Sequence, residues 1–88
     1  MVMSKKEIFN KLENVAKEIL QKINLAEKCE ISKSKMYNGI CIWMCHYDFL
    51  KTIENAVIEG LENFELPVRI RANEISNCEA QILLMPIF

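Results

Sequence analysis

The chain has 88 residues, 51% of them hydrophobic and 26% charged, with a net charge of −1. That length allows one modest core, read here as a single domain over residues 1–88, and excludes two. The apolar content excludes disorder as the default state, and near-neutrality removes any bulk pull toward nucleic acid or anionic membrane.

The charge is unevenly spread. Residues 1–46 hold eight lysines against five acids, and residues 47–88 hold three basic residues against seven acids. Such a split can steer a partner to one side of the molecule. No apolar run reaches the roughly 18–20 residues that span a bilayer, and residues 1–6 lead into an amphipathic segment without a signal-peptide core. The expectation is a cytoplasmic protein with no membrane partner. There, Cys29, Cys41, Cys45 and Cys78 stay reduced thiols rather than disulfides. Nine lysines to two arginines, with twelve isoleucines and eight asparagines, suggest an AT-rich coding genome such as those of low-GC bacteria and their phages.

Ser4 with Glu7 three residues later makes a capping box and starts a helix. Ile8, Leu12, Val15, Ile19 and Ile23 recur at steps of three and four, an amphipathic stripe widened by Phe9, Ala16 and Leu20. Glu7–Lys11, Glu13–Lys17 and Glu18–Lys22 are i,i+4 pairs in the favourable order. This helix is expected to end within residues 25–28. Asn38-Gly39 then signals a hairpin turn between a polar edge strand over residues 30–36 and an apolar strand over residues 40–46. Lys33 and Lys35 suit an exposed edge.

Asp48 is the expected N-cap of a second helix, with Leu50, Ile53, Val57, Leu61 and Phe64 as its stripe. Gly60 either ends that helix or admits a neighbouring backbone; Pro67 stops it. Residues 68–72 alternate as a half-buried strand carrying Arg69 and Arg71. Residues 73–77 supply turn chemistry, and residues 78–85 form a last strand, with Pro86 at a strand end or edge. The order α-(β)-β-α-β-β predicts an α+β two-layer sandwich, two helices on one face of a three- or four-stranded, mainly antiparallel sheet.

Residues 40–45 are apolar at every position, so both faces of that strand ask for cover. Two helices can shelter Ile40, Ile42, Met44, Val68, Ile70, Ala80, Ile82 and Leu84. The opposite face then collects Cys41, Trp43, Cys45, Leu83 and Met85, with Arg69, Arg71, Glu79 and Gln81 beside them. An apolar centre of Trp and Met with Arg at its margin has the composition of a protein interface. Trp43 presents about 150–250 Å², and at roughly 25 cal/mol per Å² a wet Trp43 with its neighbours would forfeit several kcal/mol. Self-association about a two-fold axis is the simplest cover; the alternative is that the N-terminal turn or residues 29–35 fold over it.

Chemistry is harder to find. Cys41 and Cys45, four apart on a strand, lie about 13 Å from each other, too far to share a zinc with thiolate bonds of about 2.3 Å. Cys45 and His46 face opposite ways, so the imidazole cannot activate its neighbour. Nucleotide, nucleophile-elbow and paired-carboxylate motifs are absent. The expectation is therefore a non-enzyme without metal or cofactor: a small protein-binding module, a homodimeric regulator or inhibitor occupying a partner's surface. Accessory regulators and phage-encoded inhibitors of host defence share that profile by analogy. The alternative is a nucleic-acid- or nucleotide-binding protein that holds anionic groups with Arg69 and Arg71 and stacks a base on Trp43 or Tyr47.

Overall fold

A computed structural model describes residues 4–34, 36–76 and 78–88. Helix α1 (Lys5–Lys22) leads through a 3-10 turn (Ala26–Lys28) to strands β1 (Cys29–Ser34) and β2 (Gly39–Met44). A second 3-10 turn (Tyr47–Phe49) opens helix α2 (Leu50–Gly60), and strands β3 (Val68–Glu74) and β4 (Ala80–Pro86) complete the order. The sheet runs β1-β2-β4-β3 with every neighbouring pair antiparallel. This is the expected α+β sandwich, with the edge strand formed and four strands in the sheet. Because β4 is antiparallel to both β2 and β3, those two run parallel with β4 between them. With α2 connecting them, they form a split β-α-β unit.

Ser4 caps α1 as expected, with Glu7 meeting its hydroxyl rather than its backbone amide. Ser4 accepts from the Glu7 amide at 3.2 Å and its hydroxyl donates to the Glu7 carboxylate at 3.1 Å. The helix ends earlier than its stripe suggested. Asn24 adopts a left-handed φ of 59°. The Leu25 amide donates to the Leu20 carbonyl at 2.9 Å and the Asn24 amide to Gln21 at 3.1 Å. Those two bonds are a Schellman close, with asparagine where glycine is commoner. Of the i,i+4 pairs, Glu13–Lys17 closes at 3.2 Å, whereas Lys11 reaches Glu65 at 2.6 Å and ties α1 to the segment after α2.

The Asn38-Gly39 signal marked a hairpin, but for a different reason than turn geometry. Lys35 lies outside the described residues, as do Met1, Val2, Met3 and Asn77. Gly39 does not have positive φ, so the two-residue mirror-image turn is not formed. Its amide closes back on the Tyr37 carbonyl at 2.7 Å, a three-residue turn, and Gly39 itself pairs with Ser34 as the first residue of β2. Glycine is required because a Cβ there would collide with the Leu84 carbonyl of β4.

Asp48 does not cap the second helix. The N-cap of α2 is Phe49, which makes no side-chain capping bond; His46 caps the 3-10 turn ahead of it, its Nδ1 accepting from the Asp48 amide at 3.1 Å. At Gly60 helix α2 does end, and what would meet a Cβ is the Ile19 side chain of α1 rather than a backbone. Strand β3 runs two residues into the expected turn, to Glu74. Pro86 ends a central strand. The next amide, Ile87, donates to Pro67 beside β3 at 2.8 Å, which leaves the proline nitrogen facing the β2 side, where the ladder has already stopped at Ile40–Leu84.

Leu12, Ala16, Ile19 and Leu20 of α1 and Ile53 and Val57 of α2 share one core with Ile40, Ile42, Met44, Ala80, Ile82 and Leu84. Both helices therefore lie on the same face. Val68 and Ile70 pack at its margin and stay half-buried, because β3 is an edge strand. Among the described residues, no helix is long and apolar enough to cross a membrane.

Candidate functional site

The face of the sheet turned away from the helices is set by strand alternation and register. Directly opposed residues share a face, so three rows run across it. One reads Glu30, Trp43, Gln81, Asn73; the next Ser32, Cys41, Leu83, Arg71; the last Ser34, Gly39, Met85, Arg69. The structure thus brings Cys41, Trp43, Leu83, Met85, Arg69 and Arg71 onto one surface. Cys45 falls just past β2, outside the ladder and exposed, with its amide donating to the Lys28 carbonyl at 3.1 Å.

This face is better sheltered than its composition suggested. Leu83, although turned away from the helices, is only 3% exposed. It sits between Cys41 and Arg71 across the sheet and between Gln81 and Met85 along its own strand, so neighbours on all four sides crowd it. Trp43 and Met85 are half-buried. The indole N–H donates to Glu79 Oε1 at 3.1 Å, and the Cys41 thiol to Gln81 Oε1 at 3.3 Å. The indole N–H and the Cys41 thiol thus each have an acceptor, and the half-buried ring and buried Leu83 make the cost of leaving the face in water smaller than a bare Trp-Leu-Met surface would incur.

The arginines are a different case. Arg69 and Arg71 are exposed, and no ion pair joins either of them to a described residue. They line the β3 edge, while Glu30 occupies the far corner on β1. Tyr47, the other aromatic considered for stacking, lies in the turn before α2. Its ring stacks on His46 with centroids 4.6 Å apart.

The thiols are held protonated where their state is perturbed. Burial raises the Cys41 pKa. At Cys29 burial, and then the neighbouring Cys45, push the pKa up to about 11. A thiol shifted upward is a poor nucleophile and metal ligand at neutral pH. Among the described residues, no three His, Cys, Asp or Glu side chains are grouped to hold a metal ion.

Two features escaped the sequence reading. Glu30 was assigned to the edge strand without its place diagonal to Arg69. Ile58, 49% exposed on α2, lies beside Phe64 and Leu66 in a groove against β3. The available signal was that Ile58 falls outside the Ile53, Val57, Leu61 stripe, an apolar residue the core does not need. Comparison with protein-family models, with curated proteins and with solved structures finds no match to this chain.

Proposed function

We propose that the chain is a non-catalytic protein-binding module, a homodimer built on its uncovered sheet face, that regulates or inhibits by occupying a partner's surface. The observation that carries this reading is the diagonal placement of Glu30 and Arg69 around a half-buried Trp43 and Met85. Four strands at about 4.8 Å spacing make the face about 14 Å wide, and two i,i+2 steps along a strand cover about 13 Å, so it is nearly square. Two copies packed face to face with strands crossing at near right angles are a known sheet-packing class. A two-fold axis along the other diagonal then lays Glu30 of each copy over Arg69 of its mate. The same rotation brings Trp43 over the mate's Arg71, a cation–π arrangement. A surface complementary to itself is what a two-fold dimer requires.

The anionic-ligand reading also draws on the exposed arginines. It is weakened by Glu79, whose carboxylate already occupies the Trp43 indole and would repel a phosphate stacked there.

Light scattering and sedimentation decide the matter. The expected result is a dimer, with Trp43→Ala folded and monomeric. Glu30→Arg and Arg69→Glu each weaken association at least about tenfold, and the double variant restores it. A wild-type chain that stays monomeric to high concentration overturns the dimer. Failure of the charge swap to restore association overturns the diagonal arrangement.

A further inference from the structure

We propose that the outer edge of β3, with the groove between it and α2, is a second binding site, one that accepts an extended segment of a partner protein as a fifth strand. The segment's chemistry is set by what the site offers: apolar side chains alternating with acidic ones. This goes beyond self-association and uses different residues for its anchor.

Three observations converge. First, β3 is an edge strand of seven residues, so among the described residues the backbone N–H and C=O groups on its outer side have no strand partner. Only another extended backbone can satisfy that row in register, as in recognition by strand addition. Second, the helix side of the same edge is a groove lined by Ile58, Leu61, Phe64, Leu66, Val68 and Ile70. Ile58 is 49% exposed and Phe64, Leu66, Val68 and Ile70 are half-buried. An added strand turns every second side chain into this groove. Glu62 and Glu65 stand at its rim, and Glu65 is engaged by Lys11; acids on that side of the incoming strand are disfavoured.

Third, the intervening side chains of the added strand fall on the opposite face, directly beside Arg69 and Arg71. Opposite charges facing each other across neighbouring strands stabilise a sheet and like charges destabilise it. The two exposed arginines at alternate positions therefore select carboxylates at alternate positions, and a guanidinium has donors enough to serve a second acceptor. A second copy of β3 is a poor occupant. With the helices of both copies on one side, residues of like parity oppose one another, and the centred registers bring Arg71 against Arg71 or Arg69 against Arg71. The other edge is less suited: β1 offers Glu30, Ser32 and Ser34 on its far side, and the pocket beside it is lined partly by Lys17 and Gln21.

The test uses two synthetic peptides, capped at both ends and fluorescein-labelled. One is a seven-residue alternation of valine and glutamate, the other of valine and lysine. Anisotropy measures affinity, and amide shifts of the labelled protein locate the site. The expected result is binding of the acidic peptide at least about tenfold tighter than the lysine peptide, with shifts confined to β3 and α2. Arg69→Glu with Arg71→Glu reverses that preference. Ile58→Asp, a surface change that leaves the fold intact by circular dichroism, removes binding. Trp43→Ala, which releases Arg71 from the self-association seam, keeps the preference for the acidic peptide and the shifts at β3 and α2, so the site does not depend on the dimer. No binding of either peptide at millimolar concentration, equal affinity for both, or shifts at β1 or the Trp43 face overturns the proposal. In Trp43→Ala, where the sheet-face dimer is absent, concentration-dependent shifts of β3 without peptide also overturn it, in favour of a second copy at the edge.

Discussion

The indole N–H of Trp43 donates to Glu79 Oε1 at 3.1 Å, joining β2 to the residue that precedes β4. The other carboxylate oxygen of Glu79 accepts from the Ser76 hydroxyl at 3.0 Å, so one side chain braces both the tryptophan and the β3–β4 connection. Glu79→Ala leaves the indole N–H of a half-buried ring without its acceptor and is expected to cost about 1–2 kcal/mol. For a domain of this size that lowers Tm by roughly 4–8 °C per kcal/mol. Trp43 emission should shift to the red in the folded state. Glu79→Gln, which keeps an acceptor in place, should fall between the two. Unchanged emission and Tm in Glu79→Ala would show that the contact contributes nothing.

The two glycines should respond differently to the same substitution. Gly39→Ala drives a methyl group into the Leu84 carbonyl, a backbone atom of the adjacent central strand that cannot move aside. A loss of at least about 2 kcal/mol is expected in urea unfolding. Gly60→Ala meets Cδ1 and Cγ1 of Ile19, a buried side chain rather than backbone, and the cost of shifting its stiff χ1 offsets the gain of up to about 1 kcal/mol of helix propensity. Its unfolding midpoint should stay close to that of the unaltered protein.

Asn24 closes α1 with φ of 59°. Asn24→Ala places a residue poorly suited to that conformation at the helix end and is expected to cost about 1 kcal/mol. Asn24→Gly should be neutral or stabilising. Thermal unfolding of the pair checks the order; equal Tm values would mean the left-handed close is not retained.

Thiol chemistry gives a pH prediction. The Cys29 pKa rises from 9.0 to about 11 in the folded chain, so as pH rises the unfolded state sheds that proton first. Stability from this group is intact below about pH 9 and declines as pH approaches about 11. Urea midpoints across that window should fall in the unaltered protein and fall less in Cys29→Ala. At about pH 8, exposed Cys45 and Cys78 should react with an aromatic disulfide faster than Cys29 and Cys41, whose thiols are held protonated.

What could be read from the residues was what repeats along the chain. The Ile8 to Ile19 stripe placed α1, and the alternation of Val68, Ile70 and Ala72 with Arg69 and Arg71 placed β3. These patterns also assigned the six fully buried strand residues under the helices. Local punctuation was less informative, because one residue type serves several ends. Gly39 marked the hairpin but is there to admit Leu84. Asp48 looked like a cap, yet His46 makes the bond. Asn24 ended α1 without the glycine that would have announced it. The burial of Leu83 was not legible at all, since it arises from neighbours on three strands that meet only in the folded sheet. The β3–α2 groove was missed for the same reason: residues 58 to 70 approach one another only after α2 turns back on the sheet.

Strand order has a consequence for how the molecule is made. The β1–β2 hairpin and β3 are translated first, yet neither can join the other until β4, the latest of the four, slides between them. During synthesis the nascent chain therefore carries two unfinished sheet fragments with open sides, and stalling or truncation ahead of residue 80 would strand it in that state. The interval before β4 emerges is when a chaperone, or a wrong strand from elsewhere, has its opening.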